Sequence, residues 1–91
     1  MAVIGKGNKT VTQVGPTTAA TQLLAANNAR VVASLTNNGG QTVYLGKDNT
    51  VTTASGTPLA PGETWEDRES LDAWYGVVAS GTGDMRLVEV A

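Results

Sequence analysis

Five of the eight carboxylates in this 91-residue chain fall close together: Glu63, Glu66, Asp67, Glu69 and Asp72. Paired carboxylates do general acid and base work when a cleft pushes their pKa values apart, as in glycoside hydrolysis. These five run almost consecutively through a polar stretch with Arg68 among them, a pattern that predicts a solvated loop. Their spacing does not match the alternating oxygen ligands and terminal glutamate of an EF-hand calcium loop. Asp48-Asn49 beside Lys47 reads as a turn whose side chains cap their own backbone.

The missing residue types narrow the chemistry further. Without cysteine there is no disulfide, thiol nucleophile or thiolate metal site. Without histidine the commonest general base and metal ligand is gone, so the many serines and threonines lack their usual activator. No S-x-x-K motif supplies a lysine base, and the glycines from Gly39 onward follow neither G-x-G-x-x-G nor a Walker pattern. The expectation is a protein that is not an enzyme, with no catalytic residue, no cofactor and no metal.

Recognition chemistry rests on the aromatics. There are two Trp, two Tyr and no Phe, so Trp65 and Trp74 are expected in the core, where so little other aromatic mass is available. The alternative is a carbohydrate-binding module that stacks a sugar on Trp65 or Trp74, helped by Asp48 or Asn49. Tyr44 and Tyr75 alternate to the side opposite Val43 and Trp74, which makes them interface candidates.

The elements that must position these residues read as strands. Thirteen threonines and eleven valines favour extended structure, because branching at Cβ suits a pleated surface. Thr17–Ala26 fits a helix or a strand, and the Thr-rich lead-in favours strand. Arg30–Thr36 predicts a strand with Val31, Ala33 and Leu35 on one face. Asn37-Asn38-Gly39-Gly40 is a turn signal, and Gln41–Leu45 is expected to return as the second arm of a hairpin. Thr50–Thr53 reads as a short strand and Ala54–Pro58 as a loop. Pro61-Gly62 suits the centre of a type II turn, Thr64-Trp65-Glu66 a strand with Trp65 inward, and Asp67–Asp72 a surface loop. Trp74–Ala79 is apolar on both faces and Met85–Val90 is the last strand. The fold class is therefore all-β: a small β-sandwich or barrel of about six to eight short antiparallel strands.

Residues 1–16 read as an extended N-terminal arm ahead of a β domain spanning 17–91. Thr10-Val11-Thr12-Gln13-Val14 alternates like a strand that needs an external partner edge, and these five residues join Tyr44 and Tyr75 as interface candidates. Six basic residues against eight acidic ones give a net charge of −2, and the basic residues are scattered, so nucleic acid is not an expected partner. No apolar run has the length of a membrane span and no signal peptide is visible. A chain this small without disulfide or zinc is expected to gain stability by oligomerising or docking.

The run Arg30-x5-Thr36-Asn37, with Val43-Tyr44-Leu45-Gly46, Val51-Thr52, Gly56-Thr57-Pro58-Leu59 and Pro61-Gly62-Glu63, resembles small virion structural proteins of tailed bacteriophages. The resemblance extends from Thr21 to Val90. It implies a compact sandwich or barrel that decorates or cements the capsid, or sits on a tail component. It also implies a homo-oligomer, most often a trimer, docked on the major capsid or another virion protein with its arm under a neighbour. The protein would be made in the bacterial host cytoplasm and reside in the virion. That family brings no catalytic residues.

Overall fold

A computed structural model describes residues 9–91. The described residues form eight strands: β1 (Lys9–Val14), β2 (Thr21–Leu24), β3 (Val32–Asn37), β4 (Val43–Gly46), β5 (Thr57–Leu59), β6 (Thr64–Asp67), β7 (Trp74–Val77) and β8 (Met85–Val90). They make two four-stranded antiparallel sheets, ordered β1-β8-β3-β6 and β2-β7-β4-β5. There is no helix among the described residues. Only the β4–β5 connection stays within one sheet; every other one passes from sheet to sheet. This order is that of a jelly roll, two facing sheets wound from interlocked Greek keys. The all-β sandwich expected from the Thr and Val content is the fold observed.

Alternation along the strands builds the core. Ala33 and Leu35 of β3, Val43 and Leu45 of β4, and Met85 and Leu87 of β8 all face inward and are essentially solvent-free. Leu23 and Leu24 are both buried because the β2–β7 register shifts between Gln22 and Leu24, and the bulge turns two consecutive side chains inward. Gly76 lies where the sheets meet: a Cβ there would stand 3.0 Å from Val43 Cγ1 and 3.1 Å from Leu23 Cδ1.

Several local expectations change. Asn37–Gly40 does not close a hairpin, since β3 and β4 belong to different sheets. Asn37 is fully buried at the crossing, where Nδ2 donates to the Gln41 and Leu59 carbonyls at 2.8 Å and Oδ1 accepts from the Gly39 amide at 3.0 Å. These bonds supply partners for backbone groups that leave one sheet before joining the other. Val31 precedes β3 and is exposed, so it does not share the inward face of Ala33 and Leu35.

Thr50–Thr53 is not a strand. Val51 is instead buried against Gly46 and Gly56, where a Cβ on either glycine would collide with it, and the strand falls later, at Thr57–Leu59. Pro58 is tolerated there because β5 is a sheet edge. Pro61-Gly62 does form the expected turn: Gly62 has φ 84° and the Glu63 amide donates to the Ala60 carbonyl at 3.0 Å.

Residues 10–14 form most of β1, but their partner is not an external edge. They pair antiparallel with β8 of the same chain, Val14 opposite Met85 through Thr10 opposite Glu89. Of the expected arm, residues 1–8 lie outside the described residues.

Candidate functional site

Two surfaces emerge: an aromatic groove and a strand edge that is unpaired among the described residues. The groove opens at one end of the sandwich, where the chain leaves β4 and passes from β6 to β7. It measures about 490 Å³ and is lined by Lys47, Trp65, Glu66, Asp67, Arg68, Glu69, Ser70 and Trp74.

Its floor is Trp74, buried at the start of β7. The Trp74 Nε1 donates to Asp67 Oδ2 at 2.9 Å, while Asp67 Oδ1 accepts the Glu69 and Ser70 amides at 3.0 Å each. Asp67 is thus the buried end of β6 and not part of a solvated loop. Burial raises its pKa, but the hydrogen bonds from Glu69, Trp74 and Ser70, with the nearby charge of Lys47, outweigh that effect and hold it below the ordinary carboxylate value. The same bonds that favour the charged form of Asp67 organise the β6–β7 loop.

Trp65 makes the open wall. It lies opposite Leu35 in register, on the inward face as its alternation requires. Because β6 is the sheet edge, its indole is left 40% exposed. The two indoles meet edge to face, with centroids 6.2 Å apart and planes inclined by 63°. Lys47 Nζ stands 4.7 Å from the Trp74 ring centroid, a cation–π contact, and donates to Ser70 Oγ at 2.9 Å. Glu66 and Arg68 form an exposed pair at 3.0 Å on the rim.

A residue that composition gave no reason to single out supports this loop. Arg30 is buried; its Nε pairs with Glu89 at 2.7 Å, and its terminal nitrogens donate to the carbonyls of Ala25 (2.8 Å), Ser70 (3.3 Å) and Asp72 (2.7 Å). It therefore ties the loop bearing Ser70 and Asp72 to β8. A lone arginine flanking a valine run carries no sequence signal for this role.

The sugar-stacking alternative fares differently residue by residue. Trp74 is core, as expected; Trp65 is not. Asp48 and Asn49 do not line the groove. Asp48 instead accepts the Thr50 hydroxyl and amide, bonds that lower its pKa, as expected of a self-capped turn. Among the described residues no three metal-ligating side chains come together.

The second surface is the outer edge of β1, the first strand of its sheet. Met85 and Leu87 face the core, so Arg86, Val88 and Val90 face out. Register places Val11 opposite Val88 and Val32 opposite Val90, giving four contiguous valines on the outer face of the first sheet. Val11 is 67% exposed. Thr10 and Thr12 lie on the other face of β1 and are also exposed, as is Gln13, which donates to Asp84 at 3.1 Å; Val14 packs on the core.

Tyr44 and Tyr75 lie elsewhere, half-buried on the outer face of the second sheet. Tyr75 sits opposite Gly46 and Tyr44 opposite Val77, so the two tyrosines are diagonal neighbours. The interface candidates thus form two separate groups: β1, and the tyrosine pair.

No protein-family model matches the chain, and no curated protein matches it. Among solved structures it resembles the stem and receptor binding domain of the spike protein P1 from bacteriophage PM2, with a TM-score of 0.65 at 14% identity. The likeness is one of fold. It covers 89% of this chain and 32% of that one, so this chain spans about a third of the spike chain's length. A protein of Bacillus endospore appendages, described as disulfide-linked pili, aligns over 100% of this chain and 96% of its own, with a TM-score of 0.44 at 16% identity.

Proposed function

We propose that this chain is a structural protein of a phage particle, acting by packing against copies of itself and a virion surface, without turnover. The observation that carries this reading is β1, a sheet edge unpaired among the described residues and continuous with a valine face on which Val11 is exposed.

Native sheets protect their edges with prolines, bulges, charges or short length. The other three edges here are blunted: β5 carries Pro58, β2 has its bulge, and β6 is short and carries Glu66. The six-residue β1 has neither proline nor bulge, and its only charge is Lys9 at the start. An antiparallel or parallel strand from another chain can extend the sheet there through main-chain hydrogen bonds, with Val11 and Val88 covered at the same time. The fold shared with a phage spike domain is consistent with a virion role, although a fold by itself does not specify function. The finer assignment, capsid decoration by a trimer, rests on the resemblance of the turn-and-strand punctuation to small virion proteins.

The test is the mass of the full chain by light scattering, together with its loading on purified particles by electron microscopy. An oligomer that Val11→Lys or Thr12→Pro reduces to a folded monomer supports the proposal. A wild-type chain that stays monomeric and never loads on particles overturns it.

A further inference from the structure

We propose that the groove beside Trp65 is a binding site for a neutral sugar ring, independent of the strand edge through which copies pack. A sugar site needs a flat apolar surface for the C–H face of the ring and polar groups around it for the hydroxyls. Trp65 lines the groove and is 40% exposed, and in an edge-to-face pair Trp74 covers at most one flat face of its ring. Polar groups surround it. Arg68 uses its Nε on Glu66, leaving its terminal nitrogens as donors among the described residues, and the Glu66 and Glu69 carboxylates are acceptors.

Charge selects the class of ligand. The groove is lined by two cations, Lys47 and Arg68, and three anions, Glu66, Asp67 and Glu69. The negative excess disfavours phosphorylated, sulfated or sialylated ligands. A cationic ligand would meet the like charges of Lys47, whose Nζ stands 4.7 Å from the Trp74 ring, and of Arg68 on the same lining. A neutral saccharide has no such conflict. The site is also preorganised: Asp67 fixes the loop from below and Arg30 fixes it from behind, so little order must be gained on binding.

The experiment is a glycan array of neutral, sulfated and sialylated oligosaccharides probed with the labelled full chain, followed by titration of hits while Trp fluorescence is read. Trp65→Ala should lower affinity for neutral glycans at least about tenfold, Trp65→Phe should retain part of it, and Val11→Lys should leave it unchanged. Circular dichroism of each variant confirms folding, and Trp65→Phe keeps the test decisive where Trp65→Ala unfolds. The proposal is overturned by an array with no neutral glycan retained, by retention of anionic glycans alone, or by affinity equal in wild type and a folded Trp65→Ala.

Discussion

Asp67 on β6 of the first sheet accepts a 2.9 Å hydrogen bond from Trp74 Nε1 on β7 of the second. One carboxylate oxygen therefore bridges the sandwich, while the other receives the two amides that begin the β6–β7 loop. Packing, loop conformation and the groove floor depend on the same side chain.

Asp67→Ala removes the acceptor for a buried indole N–H and two amides. Its loss should cost about 2–4 kcal/mol, since buried donors left unpaired lose a charge-assisted bond and stay desolvated. Asp67→Asn keeps one acceptor oxygen and should lose less. Urea unfolding followed by Trp fluorescence measures both.

Arg30→Met should destabilise by about 3–5 kcal/mol, because it leaves Glu89 mostly buried without its partner and strips three carbonyls of their donor. Hydrogen exchange offers a local readout: amides of residues 70–72 should lose protection more than those of β3. Equal loss everywhere would mean that Arg30 does not hold the loop in particular.

Gly76→Ala places a methyl 3.0 Å from Val43 Cγ1 and 3.1 Å from Leu23 Cδ1. Overpacking of this kind costs about 1–3 kcal/mol. Gly40→Ala meets nothing among the described residues within 4 Å and should stay within about 0.5 kcal/mol of wild type. Thermal unfolding of the two variants side by side separates a packing effect from a general intolerance of alanine for glycine.

Asp84 receives hydrogen bonds from Arg86, Asn38 and Gln13, with Arg86 the dominant influence, and its pKa is held down at about 2 against an ordinary 3.8. A carboxylate with a lower pKa when folded adds stability above its unfolded pKa and loses it as pH falls toward the folded one. Melting temperature should therefore decline between pH 3.8 and about 2, and Asp84→Asn should flatten part of that slope. Asp67 shifts in the same direction, so the variant retains a residual slope. A wild-type melting temperature that is constant over this range contradicts the linkage.

The strand content was legible because it depends on local stereochemistry. Apolar side chains at alternating positions, Ala33 and Leu35, Val43 and Leu45, Met85 and Leu87, mark β3, β4 and β8, and Pro61-Gly62 predicts a turn that needs positive φ at its second residue. The partner of each strand was not legible. Asn-Asn-Gly-Gly reverses the chain equally well within a sheet or between two, and the strand pairing shows that it crosses, with Asn37 buried against Gln41 and Leu59 at the crossing. Alternation likewise places Trp65 on the inward side but says nothing about whether another strand lies beyond it.

By itself, then, the sequence determined that this protein is built from strands and turns, and that thiol and imidazole chemistry are absent from it; both follow from side-chain identity and nearest-neighbour sterics. The tertiary structure alone decided that β1 closes onto β8 as the outer strand of its sheet, that Asp67 is buried under Trp74, and that Trp65 borders a groove. Those outcomes depend on which strands end up at the margins of the sheets, a property of long-range pairing that no short stretch of chain encodes.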